Sequence, residues 1–176
     1  PRPQMQRSSW KSLNGPWRYA IVAKDADKPK DWDGEIVVPF AAESQLSGVR
    51  RYVSPEQALW YQREIQVTKP TAGKRLLLHF QAVDWAAQVW LNGKKLGEHQ
   101  GAYDPFTFDI TDALTDSGKQ TLVVRVWDPT DSQSQPRGKQ VRKPEGIWYT
   151  AVTGIWQSVW MEEVADTSLE RIDIAS

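Results

Sequence analysis

Apolar residues recur at every second position through much of this chain, in short segments separated by turn residues. Within residues 75–80, Leu76, Leu78 and Phe80 share one side and His79 takes the other. Further on, Trp85, Ala87, Val89 and Leu91 alternate with Ala86, Gln88 and Trp90. Leu122, Val124 and Val126 alternate within 121–127, and Ile155, Gln157, Val159 and Met161 alternate with Trp156, Ser158 and Trp160. Successive side chains of a strand leave opposite faces, so a period of two is the mark of a half-buried strand. The turns agree. Asn92-Gly93 lies between two such runs, and both residues accept the positive φ that a two-residue hairpin requires. Thr71-Ala72-Gly73-Lys74 separates two more. Residues 111–116 predict one helical turn capped by Thr111, and no longer stretch has a helical period. Many short strands with turns between them predict an all-β chain, a β-sandwich or jelly roll.

A chain of 176 residues is long enough for one domain with a full core. Lys plus Arg number 22, as do Asp plus Glu, so the electrostatic footprint of a nucleic-acid binder is missing. The same balance gives no reason to expect a membrane partner, and no apolar run approaches the roughly 18 residues of a membrane span. The sequence contains no cysteine, which removes disulfides, thiolate metal sites and a cysteine nucleophile. It contains ten tryptophans, the residue whose flat apolar ring fills cores and interfaces and also supports the apolar face of a sugar ring. Trp17, Trp60, Trp90 and Trp160 fall on strand-like runs and are expected to supply bulk to the sandwich core.

Two segments interrupt the strand rhythm. Residues 128–146 form a long polar stretch with three prolines, and a loop of that length inside a compact domain is commonly functional. It holds Arg137 and Lys139, and Trp148 and Tyr149 follow it. Cationic donors beside aromatic rings suit sugar hydroxyls or a carboxylate; a solvated loop packed on a neighbouring domain is the competing reading. The tail from 168 to 174 reads as a new strand after a linker at 164–167, which divides the chain into a domain over 1–164 and the start of another over 165–176.

Catalytic chemistry finds little support. Glycoside cleavage uses two carboxylates, about 5 Å apart for retention and wider for inversion. Glu162 and Glu163 are adjacent and would leave opposite faces of a strand, while Asp31 and Asp33 belong to a turn. With two histidines, His79 and His99, and no Gly-x-Ser-x-Gly elbow, a serine triad has no footing. Asp104, Asp109 and Asp112 offer oxygens for a structural calcium ion, although their spacing matches no EF-hand and turn or cap carboxylates explain them as well. No cofactor is expected.

Several ordered strings resemble the N-terminal sugar-binding domain of glycoside hydrolase family 2, the family of β-galactosidases, β-glucuronidases and β-mannosidases. They are Leu13-Asn14-Gly15-Pro16-Trp17, Val38-Pro39-Phe40 followed by Glu43-Ser44, and Leu59-Trp60-Tyr61-Gln62-Arg63. The most specific starts at Val83-Asp84-Trp85, runs through Asn92-Gly93, and continues from Gly97 to Thr111. The last is Gly154-Ile155-Trp156-Gln157-Ser158-Val159-Trp160. The resemblance covers the chain from about Ser12 to Val164. It implies a jelly-roll sandwich of the galactose-binding-domain type. It also implies a parent enzyme in which this domain precedes an immunoglobulin-like domain and a (β/α)8 barrel bearing two catalytic glutamates. The piece in hand would then be non-catalytic, a support for the barrel that reaches the rim of the substrate pocket, with an autonomous carbohydrate-binding module as the alternative. Its expected partners are those two domains and carbohydrate, and the parent has room to be a homo-oligomer in a periplasmic or secreted bacterial setting. In some family members an acidic residue after the Gly-Ile-aromatic motif reaches toward substrate. Ser158 matches that position and is not acidic, which argues against the best-known galactosidase pattern.

Overall fold

In the computed structural model, residues 7–170 and 172 are described. Their strands are β1 (Lys11–Ser12), β2 (Gly15–Ala23), β3 (Gly34–Val38), β4 (Gln57–Gln66), β5 (Lys74–Phe80), β6 (Val83–Asp84), β7 (Ala86–Leu91), β8 (Lys94–Gln100), β9 (Phe106–Asp109), β10 (Lys119–Trp127), β11 (Gly154–Ile155) and β12 (Val159–Ala165). A six-stranded sheet has the order β3-β2-β4-β10-β7-β8, a four-stranded sheet has the order β1-β12-β5-β9, and β11 pairs with β6. All of these pairings are antiparallel.

The alternation seen in the sequence decides which residues meet between the two sheets. Ile36, Leu59, Val89 and Val124 of the large sheet pack in one cluster with Leu78, Phe80 and Met161 of the small one. All are buried, and each such side chain contributes about 1.5–3 kcal/mol by leaving water. The β7–β8 hairpin turns at Asn92 and Gly93, whose φ angles of 52° and 83° are those the turn requires. Gly154 is constrained more tightly. Its φ is 98°, and a β-carbon there would stand 2.0 Å from the Tyr61 hydroxyl, so only glycine lets β11 close over β4.

The fold departs from the sequence expectations at four points. Among the four strand tryptophans singled out, only Trp17 belongs to the cluster between the sheets. Trp60 and Trp90 have the parity of Ala58 and Gln88, which places them on the outer face of the large sheet, where they stack with ring centroids 5.6 Å apart. Trp160 lies on the outer face of the small sheet, stacked on His79 at 4.9 Å. There Glu162 meets His79 Nε2 at 3.1 Å and Arg7 at 2.8 Å. The continuous strand expected over 155–161 is broken: β11 pairs with β6, and β12 starts afresh in the other sheet. The helical turn is a 3-10 helix over Thr111–Ala113 with Ile110 as its cap residue. The Thr111 hydroxyl serves instead to donate to Asp109 and to accept from the Leu76 N–H. At the C-terminus β12 runs through Val164 and Ala165. Of the strand expected over 168–174, Arg171, Asp173 and Ile174 lie outside the described residues, and the others take no strand conformation.

Candidate functional site

The segment after β10 closes one end of the sandwich in two layers. The inner layer is polar, with Asp84, Asp128 and Thr153 buried and Glu43 and Gln140 partly buried. Asp128 accepts from the Thr130 N–H at 2.7 Å and from the Thr153 hydroxyl at 3.0 Å. The Thr153 N–H donates to Glu43 Oε2 at 2.9 Å. Gln140 bridges the layer: its Nε2 donates to Asp84 Oδ2 at 2.8 Å, and its Oε1 accepts from the Val152 N–H at 2.6 Å. Beneath them the Tyr61 hydroxyl accepts from the Ile155 N–H at 3.1 Å. Burial pushes the Glu43 carboxyl up to about 7, against the opposing hydrogen bonds from Thr153. Burial, and after it the charge of Asp128, also pushes Asp84 up to about 7. Asp128 itself is raised by burial. Glu43 and Asp84 therefore give up their protons only near neutrality, and the work of all three carboxyls is to hold both flanks of the loop to β6, β10 and β11.

The outer layer is aromatic and cationic. The Tyr149 N–H donates to Lys139 O at 2.8 Å, and the Val141 N–H donates to Tyr149 O at 2.9 Å, which clips the two flanks side by side. The clip brings Lys139 Nζ to 5.9 Å from the Tyr149 ring and the Arg137 guanidinium to 6.0 Å from the Trp148 ring, within cation–π reach. Trp148 is 41% exposed and Tyr149 65%, so both rings retain open surface. Tyr103 supports the loop from below: a β-carbon on Gly138 would stand 3.0 Å from its hydroxyl. Tyr103 in turn meets Trp156 edge-on at 6.2 Å. A groove of about 680 Å³ runs beside Trp148, with Tyr52, Pro55, Val141 and Glu145 in its walls and the Arg142–Asp131 ion pair across it. Exposed rings flanked by fixed donors can stack on a ring ligand and bind its hydroxyls or a carboxylate.

Of the residues chosen from sequence, the fold brings Arg137, Lys139, Trp148 and Tyr149 together. Ser158 has other partners. Its hydroxyl accepts from Asn14 Nδ2 at 3.0 Å, and Asn14 Oδ1 accepts from the Val159 N–H, so Ser158 braces the start of β12 against β2. Asp109 is engaged by Thr111 and lies 3.6 Å from Arg75. Among the described residues no three His, Cys, Asp or Glu side chains are grouped to hold a metal ion. Sequence reasoning missed the buried carboxyls of Glu43, Asp84 and Asp128. Each is a single acid near the end of an apolar run, and no spacing connects them. The one available signal was that Glu43 and Asp84 lie inside the family-like strings.

Residues 10–164 match the family model described as "Glycosyl hydrolases family 2, sugar binding domain". The chain belongs to glycoside hydrolase family 2. Within it, this family 2 domain is 38% identical over 170 residues to a β-glucuronidase of Bacteroides fragilis, across 93% of this chain and 22% of that protein. It is 31% identical over 115 residues to a β-galactosidase of Thermoanaerobacter pseudethanolicus, across 64% of this chain and 14% of that protein. The chain thus spans about a fifth or less of the length of these relatives. Among solved structures, a β-glucuronidase of an uncultured Clostridium species superposes with a TM-score of 0.69 at 22% identity, over 92% of this chain and 30% of that one. A Faecalibacterium prausnitzii β-glucuronidase gives 0.65 at 24%, over 92% of this chain and 33% of that one. At such identities the structural likeness establishes the fold, and it agrees with the all-β sandwich expected from the sequence.

Proposed function

We propose that this domain is the non-catalytic N-terminal domain of a retaining family 2 β-glycosidase. In this reading it supports a catalytic barrel elsewhere in the same chain, and Arg137, Lys139, Trp148 and Tyr149 line the rim of the substrate pocket. The observation that carries it is the two-layered loop end, in which a hydrogen-bonded floor holds exposed rings and cations in fixed positions. Preorganised donors beside open aromatic surface are what a sugar-contacting rim requires, and the buried carboxyls below are committed to structure. Relatives that the domain matches over a small part of their length support placing the catalytic groups elsewhere.

The test uses the full-length protein and the domain alone. In the full-length protein, Trp148→Ala and Arg137→Ala raise KM for a nitrophenyl β-glycoside several-fold while kcat changes less, the mark of lost ground-state binding. The isolated domain shows no turnover. Turnover by the domain that disappears on mutating one of its own carboxylates overturns the reading, as do unchanged kinetics in both rim variants.

A further inference from the structure

A second feature lies on the outer face of the six-stranded sheet. A cleft of about 960 Å³ opens there, at the upper end of the about 300–1,000 Å³ typical of ligand sites. Its floor is the Trp60–Trp90 stack with Val123 between neighbouring strands. Trp60 is nearly buried, at 5% exposure, whereas Trp90 is half-buried and keeps ring surface toward the cleft. The wall is the connection from β2 to β3, and it is firmly built. Arg125 donates from Nη2 to Lys24 O at 2.5 Å, Lys24 Nζ sits 3.7 Å over the Trp127 ring, and Trp32 packs on the tryptophan cluster.

Two observations indicate the occupant. First, the charges lining the cleft nearly cancel, with Lys24, Lys28 and Arg125 facing Asp25 and Asp27. An anionic or cationic ligand would be met by a matching excess of the opposite sign, while sugar hydroxyls donate and accept alike and match a mixed set. Second, the buried indole N–H of Trp60 has no hydrogen-bond partner among the described residues, which is uncommon for a buried donor. We propose that this cleft binds a neutral oligosaccharide, with Trp90 as the platform for a pyranose ring and Lys24, Asp25, Asp27 and Arg125 as partners for its hydroxyls. The axial C–H bonds of the sugar pack on the indole, and its equatorial hydroxyls reach the charged wall. This site is separate from the loop end and does not rest on the barrel reading.

Isothermal titration of the purified chain with cellohexaose, xylohexaose and mannohexaose, and with hexagalacturonate as an acidic control, tests it. At least one neutral hexasaccharide binds, and the acidic control binds no tighter. Trp90→Ala weakens binding by about tenfold or more. The exposed pair Asp25→Ala with Asp27→Ala weakens it several-fold, which keeps the test sound if Trp90→Ala folds poorly. The inference is overturned if no neutral saccharide binds, if the acidic oligomer binds more tightly, or if binding survives the wall variants. Loss on Trp148→Ala overturns it too, by moving the sugar to the loop end. None of these outcomes bears on turnover by the full-length protein, so failure here and failure of the barrel reading are distinguishable.

Discussion

The two ends of β10 perform the same task with different chemistry. At its start, Gln120 is fully buried and fully bonded. Its Nε2 donates to Val67 O and Thr115 O at 3.0 Å each, and its Oε1 accepts from Asn92 Nδ2 at 2.6 Å and from the Thr115 N–H at 2.9 Å. Asn92 completes the set by accepting from the Thr121 N–H and donating to Ala113 O. At the far end, Asp128 follows the strand and opens the network with Thr153, Glu43, Asp84 and Gln140. Both networks fasten irregular connections to the sheets. The first consists of neutral amides and hydroxyls and cannot titrate. The second depends on carboxyls that burial raises, Glu43 and Asp84 to about 7, so its strength changes with pH. A buried polar cluster can thus be a permanent pin or an adjustable one, and the residue types decide which.

The largest expected effect comes from breaking the permanent pin. Gln120→Leu leaves the Thr115 N–H and the Val67 and Thr115 carbonyls without their buried partner, and is expected to cost about 2–4 kcal/mol. Urea denaturation should show a lower midpoint with the same m value, and the same loss at pH 5 and pH 8. A loss below about 1 kcal/mol, or one that varies with pH, would show that the amides are not the pin.

The adjustable end makes the next largest contribution. Glu43 and Asp84 have folded pKa values raised to about 7 from ordinary values of 4.5 and 3.8. An acid raised in the folded state holds its proton better there than in the unfolded chain. The stability it contributes is complete below its unfolded value and is lost as pH rises toward its folded one. Stability should therefore fall between about pH 4 and pH 7. His99, lowered by burial, contributes the opposite slope: its stability is present above its unfolded value of 6.5 and lost as pH falls. The difference between the wild type and the Glu43→Gln, Asp84→Asn double variant cancels that term and isolates the carboxyls. Parallel pH profiles for the two proteins would refute the assignment.

The smallest effect separates the two layers of the loop end. Trp148→Ala and Tyr149→Ala remove exposed rings and should each change stability by less than about 0.5 kcal/mol, measured by thermal or urea unfolding. A larger cost would mean that the outer layer holds the loop and is not free to meet a ligand.

Much of this molecule is legible in its sequence. The strands, their inward faces and the Asn92-Gly93 turn follow from local rules, because alternation and positive φ are properties of a few neighbouring residues. The grouping of Arg137 and Lys139 with Trp148 and Tyr149 was legible for a similar reason, since one loop holds them all. What failed was long-range. Alternation assigns Trp60 and Trp90 to one face of their strands but does not say which face is inside. Nor does it show that the chain changes sheets between Ile155 and Val159. Glu43, Asp84 and Asp128 were invisible because they are far apart in the chain, and their raised pKa values come from burial that only packing creates.

Short strings read in order were enough for the class of fold, the family and the loop that carries the exposed rings. The tertiary structure alone decided which tryptophans entered the core and which built an outer cleft. It also decided which isolated acids became one buried network. Both outcomes depend on the distance between residues remote in the chain, and that distance is set when the two sheets close on each other and exclude water.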